Sequence, residues 1–161
     1  MGASAILGID PGLSGALALY DVDGSLEVID IPTLQLKKRV VDEYALARII
    51  DAWSGRVREV WLEQVGTRPG EGAVGAFTFG RGYGVLRGIC AANFLPIFDV
   101  TPAGWKSAMK VRGDKDESRL RASALFPRHA DMWALKKHDG RAEAALIALH
   151  GFNQQLLGRV A

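Results

Sequence analysis

The sequence predicts an α/β fold built on a five-stranded mixed sheet covered by helices. Three observations carry this: short apolar runs alternate with helical patterns, a hairpin signal joins the second run to the third, and two separate runs each end in a carboxylate. The order reads three strands, helix, strand, helix, strand, helices. A chain of 161 residues, 48% hydrophobic and 24% charged, suits one domain with a real core, spanning residues 1–161.

The first element, Ala5-Ile6-Leu7-Gly8-Ile9-Asp10, is a continuous apolar run ending in an acid, as in a central strand buried on both faces. Pro11-Gly12 then forces a turn. Residues 15–22 and 25–31 are further strand candidates, joined by the turn-forming pair Asp23-Gly24. After a basic connection, Lys37-Lys38-Arg39, the residues Leu46, Ile49, Ile50 and Trp53 fall at helical spacing, with Asp42 placed to cap the start. Glu59-Val60-Trp61-Leu62-Glu63 is a short strand that again ends in a carboxylate.

A helix over roughly 73–93 carries Ala76, Gly80, Gly84, Gly88 and Ala92 at every fourth position. Glycine inside a helix costs about 1 kcal/mol relative to alanine, so close backbone approach to another element is expected. A spacing of four drifts about 40° per step, so only the central glycines share a face. Packing on the chain's own sheet and pairing with a second copy both account for them. Residues 95–100 read as the fifth strand, and Thr101-Pro102 as an N-cap followed by proline at the first helical position. Asp114 and Glu117 fit a capping box for a helix ending near Phe126-Pro127, and a last helix begins near Asp139 and ends by Gly151.

Composition narrows the function classes. Cys90 is the only cysteine, which excludes an intramolecular disulfide framework and a multi-cysteine zinc site. No segment approaches the roughly 20 apolar residues of a membrane span, and the first residues lack a basic start followed by a long apolar stretch, so a cytoplasmic protein without a membrane partner is expected. The net charge of +2 divides unevenly: residues 1–63 carry 6 Lys/Arg against 10 Asp/Glu, and residues 64–161 carry 14 against 8. A basic second half suits a polyanionic partner, although Lys and Arg also line ordinary solvated helices.

The chemistry lies in the acids. Asp10 and Glu63 stand where two strands leave the sheet, the place where functional crevices form. Asp139 and Glu143 are four residues apart on one helix and so share a face, where two carboxylates repel unless a cation sits near them. Each acid alone has a plain structural reading as a turn residue, a solvated strand end or a helix cap. Together they form a hard, oxygen-rich set suited to Mg²⁺, with Mn²⁺ as a substitute, and the histidines are too scattered for zinc. Two such ions about 4 Å apart would serve phosphodiester hydrolysis.

These residues resemble a family, the RuvC-type Holliday junction resolvases of the RNase H-like superfamily, including their phage and viral relatives. Gly8-Ile9-Asp10-Pro11-Gly12 with Ser14-Gly15 is similar to the family's first motif, and Glu63-Gln64-Val65 to its second. The segment Phe79-Gly80-Arg81-Gly82-Tyr83-Gly84 resembles the dimerisation helix. Thr101-Pro102 with Trp105-Lys106, then Gly113-Asp114-Lys115, resembles the basic region, and His138-Asp139-Gly140-Arg141-Ala142-Glu143-Ala144 the closing acidic helix. The motifs cover most of the chain in the family's order.

The resemblance implies a single RNase H-like domain with helices on both faces of the sheet. It implies a Mg²⁺-dependent endonuclease acting as a homodimer on four-way DNA junctions in a bacterium or a virus-infected cell, cutting symmetric strands. Asp10, Glu63, Asp139 and Glu143 would be the metal ligands, and Lys115 would join them as a catalytic cation. Lys106 and Lys115 would contact phosphates near the scissile bond, and Arg68, with Lys136 and Lys137 in the basic loop before the last helix, would also bind DNA. Two departures stand out. Bacterial members carry a junction-stacking aromatic just after the second motif, where this chain has Gly66 and then Arg68, a residue able to stack or to grip phosphate. The closing acids are spaced by four rather than three, which leaves open which of them binds metal more directly. His138 adjoins them as a candidate for proton transfer.

Three other readings make different predictions. An actin-like nucleotide-binding fold opens with a similar strand and loop, but needs two such domains and a second phosphate loop. A junction-binding protein without catalysis would need only the basic half and the dimer helix. A YqgF-like RNA-processing nuclease would use the same acids on another polymer.

Overall fold

The computed structural model describes residues 2–66, 70, 72–113 and 115–158, with Lys115 as backbone only. The strands are β1 (Ala5–Asp10), β2 (Ala16–Tyr20), β3 (Leu26–Asp30), β4 (Thr33–Gln35), β5 (Arg39–Val41), β6 (Val57–Glu63) and β7 (Ile97–Val100). The helices are α1 (Glu43–Ser54), α2 (Ala73–Ala92), α3 (Pro102–Ala108), α4 (Lys115–Leu125) and α5 (Asp139–Gly158), and 3₁₀ turns cover Pro127–Trp133 and Lys136–His138. The main sheet has the order β3-β2-β1-β6-β7. Its first three strands are antiparallel and β1, β6 and β7 run parallel, which is the five-stranded mixed sheet that the sequence predicts.

Strand periodicity decides which residues face which helices. Along β1, Ala5, Leu7 and Ile9 join Leu17 and Leu19 of β2 and Val60 and Leu62 of β6 in a core closed by Leu46 and Ile50 of α1 and Leu86 of α2. The alternate residues Ile6, Ala16 and Ala18 face the opposite layer, with Trp105 of α3, Ala122 of α4 and the run from Ala144 to Ala148 of α5. Helices therefore cover both faces. Counting on by twos from Ile6 puts Gly8 and then Asp10 on the α5 side.

Helix α5 lies against β1 at backbone distance. A Cβ on Gly8 would collide with the Ala144 carbonyl and the Ala148 amide. Further along the helix, a Cβ on Gly151 would strike the Trp61 ring. That contact explains why α5 runs on to Gly158 instead of ending by Gly151, as the sequence suggests: this glycine makes room for an indole and is no terminator.

The caps follow expectation where they are described. Asp42 Oδ1 accepts the Ala45 amide at 2.9 Å, and Thr101 Oγ1 accepts the Gly104 amide at 3.1 Å with Pro102 in the first turn. The turn at Asp23-Gly24 closes with the Ser25 amide on Asp23 Oδ1 and Gly24 at φ +85°. Of the capping box, Asp114 lies outside the described residues, and the Glu117 carboxylate reaches back to the Arg112 amide at 2.7 Å.

Two expectations need correction. The basic connection 37–39 is the tip and return of a β4–β5 hairpin, and its Leu34 and Leu36 are exposed. No buried face stamps a period on that stretch. Of the two accounts of the α2 glycines at four-residue spacing, packing on the chain's own sheet does not hold, because among the described residues a Cβ on Gly80, Gly84 or Gly88 would meet nothing within 4 Å. Among the described residues no helix is long and apolar enough to cross a membrane.

Candidate active site

Parallel pairing sets Ile9 opposite Leu62, so Asp10 and Glu63 occupy adjoining strand ends on the α5 side of the sheet. Both strands are held from behind by buried apolar residues, which fixes where their ends lie. Helix α5 then brings its first turn over them. A Cβ on Gly140 would run into the Ser14 carbonyl, lie 2.9 Å from Gly15 Cα and come within 3.0 Å of Asp10 Oδ2. Only glycine allows this seating, and it places Asp139 and Glu143, both nearly buried, beside Asp10.

The electrostatics show that the acids act on one another. Asp10 is pushed up to about 8, first by burial, then by the negative charges of Glu143 and Glu63 and, more weakly, of Asp139; a backbone hydrogen bond with Gly12 works in the opposite sense. Asp10 is therefore largely protonated at neutral pH in the metal-free protein. The charges of the other three acids singled out in the sequence thus all act on Asp10.

Each glutamate has a fixed donor. The Trp105 indole N–H donates to Glu63 Oε2 at 2.6 Å, from a fully buried ring on α3. The Ser118 hydroxyl of α4, also fully buried, donates to Glu143 Oε1 at 3.0 Å. Lys106 Nζ stands 3.5 Å from the same oxygen and 5.3 Å from the centre of the Trp105 ring. Trp105 and Ser118 are positioning residues that the sequence does not reveal as such. Trp105 reads there only as part of a basic region, and nothing in the one-dimensional pattern links Ser118 to Glu143.

The donor set is hard and anionic, which fits a divalent ion such as Mg²⁺ in kind, and the repulsion raised at Asp10 is what a cation would relieve. Among the described residues, however, no three acids, histidines or cysteines are gathered closely enough to hold one ion as they stand. The oxygens of Glu63 and Glu143 are engaged by Trp105, Ser118 and Lys106 instead.

The remaining expected residues fall into three places. Lys106 is at the carboxylates. Lys136 is exposed, with its ammonium 3.8 Å from Asp116, and Lys137 and His138 line a separate polar cleft bounded by Ser14, Asp30 and Arg141. His138 titrates low because of partial burial and the charges of Arg141 and Lys137, with Asp30 opposing, so its electrostatic neighbours are those of the cleft. Arg68 lies outside the described residues, as does the side chain of Lys115.

Arg141 braces this end of α5. Its Nε and Nη2 donate to the two carboxylate oxygens of Asp30 at 2.6 and 2.7 Å, and Nη1 donates to the Met132 carbonyl at 3.0 Å. The guanidinium hydrogen bonds hold the Asp30 carboxyl below the usual range, against a smaller opposing effect of burial.

Among solved structures, the chain is similar to Thermus thermophilus RuvC in complex with a Holliday junction substrate, with a TM-score of 0.65, 17% identity and 96% of each chain covered. The chain has the fold of the RuvC-type resolvases. The yeast mitochondrial Holliday junction resolvase is similar at a TM-score of 0.56 and 15% identity, over 96% of this chain and 80% of that one. The fowlpox virus Holliday junction resolvase is similar at 0.51 and 14%, over 94% and 99%. No family profile and no curated protein matches the sequence. In this RuvC-type, RNase H-like fold the ends of β1 and β6 and the first turn of α5 are the three places that carry Asp10, Glu63 and the Asp139/Glu143 pair.

Proposed function

We propose that the chain is a divalent-metal-dependent endonuclease that resolves four-way DNA junctions as a homodimer. The reading is supported by the electrostatic coupling of Asp10 to Glu63, Asp139 and Glu143, which come from a second strand end and one helix, on the α5 side of a resolvase fold. Three neighbours of that fold, from a bacterium, a yeast and a virus, are Holliday junction resolvases.

Asp10, Glu63, Asp139 and Glu143 would hold Mg²⁺, or Mn²⁺ in its place. When bound there, the ion supplies an activated water at neutral pH and charge for the leaving oxygen. The chain's own groups do the rest. Trp105 and Ser118 hold the Glu63 and Glu143 carboxylates in fixed rotamers, and Lys106 puts a cation beside the site where phosphate charge develops. Lys115, at the start of α4, would add a second.

Support for a homodimer comes from α2. Ala73, Phe77, Gly80, Gly84, Gly88 and Ala91 are exposed along it, an uncharged stripe whose glycines approach nothing among the described residues. Phe77 leaves 75% of its surface in solvent. A backbone that close to its helix surface suits packing against a second α2, and two copies would present two cutting sites to a symmetric junction.

The test is incubation of the purified protein with a synthetic four-way junction, a linear duplex and structured RNA, with and without Mg²⁺, beside Asp10→Asn. Junction cleavage that needs Mg²⁺ and disappears in the variant is the expected result. Preferential RNA cleavage would instead indicate an RNA-processing nuclease, and junction binding without cleavage a structural protein.

A further inference from the structure

The cleft beside the carboxylates, about 320 Å³ in volume, is polar and is absorbed by none of the roles above. Arg39, at the start of β5, reaches into it from the hairpin that follows the main antiparallel strands. Its Nη2 donates to the Leu13 carbonyl and lies 3.3 Å from Ser14 Oγ. Those two interactions orient the guanidinium and leave most of its five N–H donors available. Lys137 enters from the opposite wall, exposed, and among the described residues neither cation forms an ion pair with a carboxylate. The one acid of the cleft, Asp30, takes hydrogen bonds on both oxygens from Arg141, and the charges of His138 and Arg39 act on it more weakly. Ser14, Thr33 and His138 add further polar groups to the lining, beside the apolar Leu13 and Ile31.

The chemistry of this cleft is that of an anion site. A planar guanidinium, an ammonium and two hydroxyls match a tetrahedral phosphate oxygen set better than any neutral ligand. Lys37 and Lys38, exposed at the hairpin tip, extend the same sign of charge outward. Position is as informative as charge. The backbone of Ser14 and Gly15 forms one wall of the cleft and also abuts Gly140, which in turn abuts Asp10, so a single layer of backbone separates the cleft from the carboxylates. A strand with one phosphate at Asp10 that runs toward the β4–β5 hairpin would bring its neighbouring phosphates to this cleft.

We propose that Arg39 and Lys137 clamp a backbone phosphate of the cut strand, about one or two nucleotides from the scissile bond, and so fix which bond meets the carboxylates. The proposal rests on the nuclease reading and adds a positioning subsite to it.

The measurement is junction affinity as a function of salt in an Asp10→Asn background, where binding proceeds without cleavage. Arg39→Gln/Lys137→Gln leaves that one phosphate unneutralised and should flatten the slope of log affinity against log salt by about 0.9. Lys137→Gln alone should remove about half of that, and Arg39→Lys should retain its share. With Asp10 restored, the double variant should raise KM roughly tenfold, with kcat changed far less, and should spread cutting over neighbouring bonds. Unchanged slope and cut position, in a protein that still cleaves junctions, would overturn the clamp and leave the nuclease standing. A wild-type protein that neither binds nor cuts nucleic acid would overturn both.

Discussion

Asp10 keeps a proton that the same residue in an unfolded chain would have released. Its carboxyl titrates near 8 in the folded protein against 3.8 unperturbed, so between those values the native state binds one proton more than the unfolded state. Stability must then fall as pH rises. The contribution is complete below about 4 and disappears progressively up to about 8. Denaturant midpoints measured from pH 4 to 8 with chelator present should show this decline, and Asp10→Asn should flatten it. A decline no steeper in the wild type than in Asp10→Asn would mean that the four acids do not share a field, since His138 and His150, both lowered, act in the opposite sense. The residues around Asp10 divide the same work: burial and three anions hold it neutral, while Trp105, Ser118 and Lys106 occupy the two glutamates.

At the scale of elements, α5 is both the core helix of one layer and the carrier of half the acids. Its seat depends on two residues without side chains, Gly8 on the strand and Gly140 in the first turn. Gly140→Ala should lower unfolding free energy by about 1–3 kcal/mol, the usual cost of overpacking, and should reduce cleavage further than that destabilisation explains, because the added carbon presses on Asp10. Urea denaturation and cleavage at saturating substrate separate the two effects. A variant equal to wild type in both would show that α5 does not sit as described. Much of this architecture is legible in the sequence. Apolar runs ending in Asp10 and Glu63 mark central strands, Asp42 and Thr101 mark helix starts, and the four-residue step from Asp139 to Glu143 marks one helical face. The β4–β5 hairpin is not legible, because Leu34 and Leu36 face solvent and impose no alternation. Gly151 misleads for the opposite reason, since its small size serves Trp61 on another element and says nothing about its own helix. The donors to Glu63 and Glu143 are equally hidden, being defined only by hydrogen bonds across the core.

At the scale of the whole molecule, the unpartnered face of α2 makes two effects of one substitution diverge. Gly84→Ala adds a side chain where nothing lies within 4 Å, so a single chain should gain up to about 1 kcal/mol from helix propensity. Association of two chains should weaken, and Gly84→Leu should weaken it more. Sedimentation equilibrium reads the second effect and denaturation at low concentration the first; association untouched by Gly84→Leu would remove α2 from any interface. The placement of α5 also has a consequence in time. Asp10 and Glu63 leave the ribosome long before Asp139 and Glu143, and until α5 arrives the Ile6, Ala16 and Ala18 side of the sheet has no cover from it. A nascent chain is thus a half-covered sheet with half the acids of the proposed site, and the docking of α5 on that side of the sheet also completes the set.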